Sequence, residues 1–503
     1  MSQVEAPAPC RETSEFLAAE HRLFIAGEWV GSRDGAAIEV INPATGTAIA
    51  RVAGAGPADI DRAVAAARRA FETGPWPNLS PTTRSQLLWD LAGLIEANSQ
   101  VLTELEVLNT GMPLNPAGAL AVPGTARILR YYAGWPSKIL GHTVPGDLQP
   151  GARHQPLTYT RREPVGVVGQ IVPWNYPLAM TAMKLGPALA TGCTVVLKPD
   201  EKTPLSALFL AELVRKSGIP PGVINIVPGT GERAGAALSA HPDVDKIAFT
   251  GSTDVGRKIL QAASGNLKRV SLELGGKSPF IVFPDADLEQ AIGAASRSAF
   301  FLQGQNCLCA SRLLIHEAVV DRVMSGVVAA ARAMKIGPGL DAETRLGPLI
   351  SGEHLDRVQA LVASGVGEGA ELVYGGKRLT RPGYFMEPAV FARTRPAMRI
   401  VQEEIFGPVT CIETFDNDDL DSIARSANAT PYGLAASVWT GDLHTAHRLT
   451  DLIRAGMVYI NQHGGSNIYA PFGGYKQSGW GREFGPDSLD LYLETKTVLV
   501  SYQ

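Results

Sequence analysis

The chain has 503 residues, 45% of them hydrophobic and 19% charged, which is ample apolar material for two or three domains. Its 45 Lys and Arg against 49 Asp and Glu leave a net charge of −4, so nothing electrostatic argues for binding nucleic acid or an anionic membrane, and small-molecule chemistry is the default. Five cysteines with no CxxC and no Cys/His spacing argue against a disulfide framework or a metal site and for a reduced, cytoplasmic setting.

Residues 1–21 carry Glu5, Glu12, Glu15 and Glu20 without an apolar run, and read as a flexible tail rather than a targeting signal. Between His21 and Arg51 apolar and polar residues alternate around Gly turns, which predicts short antiparallel strands. Apolar residues at three- and four-residue spacing predict helices over Asp59–Phe71, Thr82–Ala97 and Ala126–Leu140. The charge-free run between Glu163 and Lys184 is long enough to cross a bilayer, but Pro164, Pro173 and Pro177 would break any helix there. From Val165 to Phe283 short apolar runs (Val165–Val172, Thr194–Leu197, Val223–Val227, Ile247–Thr250, Val270–Leu274, Phe280–Phe283) alternate with helical segments such as Thr203–Lys216, with Thr203 as N-cap and Pro204 at the first helical position. That rhythm predicts a doubly wound parallel sheet with its ligands at the carboxyl ends of the strands. A second α/β block follows from Asp285 to about Gly456, for example the strand Leu313–His316 and the helix Val319–Met334.

Several short motifs fall at those strand ends. Gly251-Ser252-Thr253 closes a strand and opens a helix, either as a plain tight turn or as a seat for a phosphate at the helix N-terminus. Gly229-Thr-Gly231-Glu-Arg-Ala-Gly235 misses the GxGxxG spacing by one residue and weighs little alone. Lys198 and Glu201 follow an apolar strand, where an acid can accept hydrogen bonds from ribose or simply be solvated. Asn175 sits between Pro173 and Pro177, a rigid amide suited to an oxyanion or to local backbone. Glu273 lies between leucines, where desolvation would raise its pKa toward that of a general base. Cys307 occupies a Gly/Gln/Asn loop, an unusual setting for a cysteine that merely fills a core.

Together these residues resemble the NAD(P)-dependent aldehyde dehydrogenase superfamily. Its motifs occur in family order as Pro173-Trp-Asn-Tyr-Pro177, Lys198-Pro-Asp-Glu201, Phe249-Thr-Gly-Ser252, Glu273-Leu-Gly-Gly-Lys277, Gly304-Gln-Asn-Cys307, Glu403-Glu-Ile-Phe-Gly-Pro408 and Pro471-Phe-Gly-Gly-Tyr-Lys476. The resemblance implies an α/β fold with a Rossmann-type cofactor domain (22–140 and 162–272), an α/β catalytic domain (273–476) and a small β oligomerisation element (141–161 and 477–503). It implies Cys307 as nucleophile, Glu273 as the base for the deacylating water, and Asn175 as oxyanion donor beside the Cys307 N–H. It further implies Gly251 and Ser252 at the pyrophosphate, Lys198 and Glu201 at the adenosine ribose, Glu404 and Phe406 at the nicotinamide ribose, and Trp174 and Gly231 along the cofactor cleft. Lys184 and Glu483 match positions that support the active site and a proton path.

The implied reaction oxidises an aldehyde to its acid through a thiohemiacetal and a thioester, with NAD as cofactor, NADP as a weaker alternative, no metal, and a homodimer or homotetramer as the assembly. Asp200 replaces a usual small residue, and Asn306 and Leu308 flank the thiol where cysteines are frequent. A CoA-acylating semialdehyde dehydrogenase would share the fold and thiol, but Glu273 favours hydrolysis. A thiol esterase would need no cofactor, and a silent structural protein would not need Cys307, Glu273 and Asn175 together.

Overall fold

In a computed structural model, which describes residues 7–147, 154–416, 418–465 and 467–501, the apolar runs of the middle of the chain become two parallel-centred sheets. The first runs in the order Glu28–Val30, Leu23–Ile25, Ile224–Ile226, Thr194–Lys198, Val167–Ile171, Lys246–Thr250, Arg269–Glu273 and Gly479–Trp480. The five strands from Ile224–Ile226 to Arg269–Glu273 are mutually parallel, and antiparallel strands close both edges. Val167–Ile171 and Thr194–Lys198 are buried at every position, as expected of strands covered on both faces. The strand order reverses at Val167–Ile171, so the crevice between its end and that of Lys246–Thr250 is the topological switch point, where such sheets bind their ligands.

The helices follow from local chemistry. Pro81–Ala97 begins with Pro81 at its first position and with the Ser80 hydroxyl accepting from the Thr83 N–H at 3.1 Å, and it buries Leu88, Leu91, Ala92 and Ile95 at helical spacing. Leu205–Ser217 starts one residue later than the capping pattern predicts: Pro204 is its N-cap and Thr203 lies outside, while Gly218, left-handed at φ 81°, ends it. The predicted third helix is Val122–Ala133, shifted toward the N-terminus because Pro136 starts a separate short turn.

The second sheet has the order Glu371–Gly375, Ala389–Ala392, Val409–Phe415, Arg312–His316, Pro279–Val282, Ala435–Trp439 and Met457–Ile460, parallel except at its first pair. A third, antiparallel sheet pairs Leu493–Val500 with Leu157–Pro164 along eight residue pairs, from Leu493 opposite Pro164 to Val500 opposite Leu157. Two expectations need correction. The stretch expected as a flexible tail contains the helix Arg11–Ala18, held down because Phe16 meets Phe209 edge-on at 5.3 Å, Thr13 is buried, and the Cys10 N–H donates to Glu104 at 2.9 Å. Gly479–Trp480 does not join the terminal element but extends the first sheet beside Glu273. Residues 1–6, 148–153 and 502–503, parts of the expected tail and oligomerisation element, lie outside the described residues.

Candidate active site

Chain geometry brings four of the expected residues to one place. The helix Leu288–Phe300 gives way to Leu302, Gln303 and Gly304, all left-handed, with φ of 49°, 59° and 66°. Only glycine fits the third position, since a Cβ there would lie 2.0 Å from the Gly407 carbonyl oxygen. This kink delivers Gln305-Asn306-Cys307 to the end of the strand Arg269–Glu273. There Gly275 and Gly276 leave room: a Cβ on Gly275 would stand 2.4 Å from Glu404 Oε2, and one on Gly276 would stand 2.4 Å from the Cys307 carbonyl oxygen. The Gly276 N–H donates to Glu404 Oε1 at 2.8 Å. Asn175, buried after the strand Val167–Ile171, donates from Nδ2 to the Gln305 carbonyl at 3.0 Å and so ties the first sheet's loop to the Cys307 loop.

Electrostatics in this pocket oppose negative charge. Burial, and then the nearby Glu483, push Glu273 well above the usual carboxylate range, against weaker opposite pulls from Lys184 and Arg482. Its Oε2 has no hydrogen-bond partner among the described residues. Burial, followed by the charges of Glu404 and Glu273, also pushes the Cys307 thiol up, while the backbone N–H groups of Cys307 and Leu308 favour its thiolate. Burial raises Glu404 to about 7. Lys184, on the helix Pro177–Thr191, forms a buried ion pair with Glu483 Oε1, 299 residues away in the chain.

Along the crevice, Lys198 Nζ pairs with Glu201 Oε2 at 2.9 Å, and the Gly231 N–H points at Glu201 Oε1 at 3.5 Å. A Cβ on Gly231 would meet nothing within 4 Å, which leaves that backbone open to a ligand. Ser252 caps the 11-residue helix Thr253–Ala263 by accepting from the Val255 N–H at 3.3 Å, so the remaining N–H groups of its first turn lie at the switch point, while the Gly251 N–H donates to the Glu273 carbonyl at 3.0 Å. Trp174 packs edge-on against Phe406 at 5.2 Å and His354 at 5.4 Å. Asp200 turns to its own backbone, accepting from the Lys202 N–H at 2.9 Å.

Sequence reasoning missed the groups that hold these residues. Arg357 donates to the carbonyls of Glu404 at 2.9 Å and Ile405 at 3.1 Å, and His354 Nε2 donates to the Phe406 carbonyl at 2.7 Å, which fixes Phe406 in its left-handed conformation. Both lie about fifty residues from the segment they pin, and no local pattern signals the contact.

Among known proteins, the profile described as the Aldehyde dehydrogenase family matches residues 29–498. Aldehyde dehydrogenase 1A1 of Mesocricetus auratus is 46% identical over 501 residues, covering 99% of this chain and 98% of that protein. The chain is 45% identical over 483 residues to the cytosolic 10-formyltetrahydrofolate dehydrogenase of Xenopus tropicalis, of which it spans 53%. The solved NAD+ complex of the Bacillus cereus aldehyde dehydrogenase superposes with a TM-score of 0.96 at 45% identity, covering 99% of this chain and 100% of that one. This chain therefore belongs to the aldehyde dehydrogenase family.

Proposed function

We propose that Cys307 is the nucleophile, Glu273 the general base and Asn175 the oxyanion donor of an NAD-dependent aldehyde dehydrogenase that releases the free acid. The chain oxidises an aldehyde with reduction of NAD. The observation that carries the assignment is the convergence of a buried, raised carboxyl, a thiol and an anchored amide at one strand end.

The residues along the crevice fit NAD: an open glycine backbone, the capped N-terminus of an 11-residue helix at the switch point, an acid–lysine pair at a strand end and the Glu404 carboxyl. Gly251 and Ser252 would hold its pyrophosphate, Lys198, Glu201 and Gly231 its adenosine end, and Glu404, Phe406 and Trp174 its nicotinamide end. The Cys307 sulfur attacks the aldehyde carbonyl, and the second Nδ2 hydrogen of Asn175 and the Cys307 N–H hold the oxyanion. Bound NAD supplies one service, taking up the hydride as the thiohemiacetal becomes a thioester. Glu273 then takes a proton from the water that attacks the thioester carbonyl, and the acid and the Cys307 sulfur separate. The Lys184–Glu483 pair sets the field around Glu273 and carries its proton onward. The test is NADH absorbance with a panel of aliphatic, aromatic and terpenoid aldehydes, with and without CoA. Acid release that requires CoA would replace this reading with the acylating one.

Cofactor choice follows from Glu201. Its carboxylate accepts from ribose hydroxyls, and a 2′-phosphate would set two like charges against each other, tempered by Lys198. We expect NAD to be favoured by about 1.4–2.8 kcal/mol, roughly tenfold to a hundredfold in kcat/KM. In Glu201→Gln the gap narrows through a better NADP value, because the change removes a repulsion felt only by the phosphorylated cofactor and frees Lys198 from its partner. Equal use of both cofactors by the wild type would place the ribose elsewhere.

Assembly follows from the third sheet, in which Leu493–Val500 pairs with another strand on one side only among the described residues. Its open edge suits pairing across subunits of a homodimer or homotetramer. Removing residues 494–503, which leaves the buried Tyr492 and Leu493 in place, should give smaller species in light scattering; an unchanged oligomer would refute the role. All five cysteines are unpaired, which supports a reducing, cytoplasmic setting, and no helix among the described residues is long and apolar enough to cross a membrane.

A further inference from the structure

The nucleophile turn is closed by its own backbone. The Cys309 N–H donates to the Asn306 carbonyl at 3.0 Å, and the Asn306 side chain accepts from the Leu308 N–H at 3.2 Å. One carbonyl of the turn, that of Leu308, is met from outside: His463 Nε2 lies 2.7 Å from it. A carbonyl oxygen can only accept, so Nε2 carries the hydrogen. The opposite ring nitrogen, Nδ1, stands 3.0 Å from the hydroxyl of Ser437, a buried residue of the strand Ala435–Trp439, and in a neutral ring it must accept. Burial pushes the imidazole down to about 4, so the ring is neutral and its tautomer is fixed across the physiological range. Phe280 and Tyr459, each with its ring 5.6 Å from the imidazole, hold the ring in place.

These bonds form a continuous chain through two peptide units. The Ser437 hydroxyl donates to Nδ1, and Nε2–H donates to the Leu308 carbonyl. The N–H of that same peptide, on Cys309, donates to the Asn306 carbonyl, and the N–H of the Asn306 peptide is the Cys307 N–H. Each bond polarises the next donor.

We propose that His463 is a positioning residue for the oxyanion hole, holding the Cys307 N–H in place and strengthening it as a donor through the Leu308 and Asn306 peptides. The proposal rests on the reading of the Cys307 N–H as an oxyanion donor. It concerns the step in which the sulfur adds to the aldehyde carbonyl, and not the ionisation of the thiol.

The chemistry of the two ring nitrogens supplies the test. In His463→Gln the amide nitrogen reaches the place of Nε2 and can still donate to Leu308. In His463→Asn the shorter amide reaches only the place of Nδ1, and in His463→Phe the ring remains without its donor. A cooperative gain of about 10–30% on a donor worth 10²–10³ predicts an NADH burst roughly two- to eightfold slower in His463→Phe and His463→Asn at saturating aldehyde and NAD. His463→Gln should restore the wild-type burst rate. Alkylation of Cys307 by iodoacetamide without cofactor, which needs no oxyanion hole, should be the same in all four proteins.

An unchanged burst in His463→Phe, or a His463→Gln variant as slow as His463→Phe, overturns the proposal. So does alkylation that slows in step with the burst, since the histidine would then merely support the thiol. If His463→Phe does not fold, the Gln and Asn pair carries the comparison. A wild-type enzyme that forms no NADH from any aldehyde would sink the proposed catalytic scheme itself, a result distinct from wild-type NADH formation that the variants leave untouched.

Discussion

Replacing Cys307 with alanine should abolish NADH formation with every aldehyde, while the folded protein and its affinity for NAD survive. In the proposed scheme the thiol makes the covalent bond to substrate, and no other group described in the site offers a replacement. The neighbouring Cys309 is buried, with its sulfur 3.5 Å from the Ala299 carbonyl, and its thiol is pushed up to about 12. Loss of a covalent nucleophile costs of order 10⁶ in turnover. The fold is spared because Cys307 is only half-buried and its sulfur makes one long side-chain contact, to Asn306 Oδ1 at 4.0 Å. The residues proposed to hold the cofactor, Lys198, Glu201 and Ser252, lie at other strand ends and do not depend on the sulfur. Stopped-flow absorbance, a thermal melt and calorimetric NAD titration measure the three parts. Turnover near the wild-type rate would move the nucleophile to Cys309 or end the covalent scheme, and lost NAD binding would show that the substitution had collapsed the loop.

The parts of this site that were legible in the sequence are those written locally. Parallel strands such as Thr194–Lys198 show as apolar runs because both faces are covered, and Gly251-Ser252 shows as a strand-to-helix turn because the cap and the glycine are adjacent. Glu273 could be suspected of a raised pKa from its leucine neighbours alone. What the sequence could not carry is contact across the chain. Lys184 meets Glu483 across 299 residues, and Cys10 donates to Glu104 across 94, so neither the ion pair nor the docking of the helix Arg11–Ala18 leaves a spacing to read. That helix has eight residues, too few for its weak apolar face to stand out from a run of charges. Gly275 and Gly276 look like turn glycines; their use, admitting the Glu404 carboxyl and the Cys307 carbonyl within a few ångströms of the strand end, exists only after folding. The positions of His354 and Arg357 belong to the same class, since what they hold is the backbone of a distant segment.

Glu273→Gln separates the two halves of the reaction. In the proposed scheme Glu273 acts on the water that cleaves the thioester, after NADH has formed, so the variant should still give a burst near one NADH per active site. Steady turnover should then fall by roughly the 10²–10⁴ that general-base catalysis supplies. The pH dependence carries an independent signature. Burial and Glu483 hold the Glu273 carboxyl well above its ordinary range. A base works only when ionised, so wild-type deacylation rises with pH as Glu273 loses its proton and levels off above its raised pKa. The ordinary carboxylate range, near pH 4, lies on the inactive side. Glutamine has no proton to lose and should flatten that limb, leaving a low, nearly pH-independent rate. Weakening the upward push should move the limb the other way: with Glu483→Gln the second-largest cause of the shift is gone, Glu273 ionises at lower pH, and the rise begins earlier, provided the Lys184 partner remains seated. Rapid-quench detection of the acyl-enzyme, beside stopped-flow NADH traces from pH 5 to 9, reads all of this. A missing burst in Glu273→Gln would mean that the carboxylate also deprotonates the thiol, whose own pKa burial raises, and a full steady rate would place the base elsewhere.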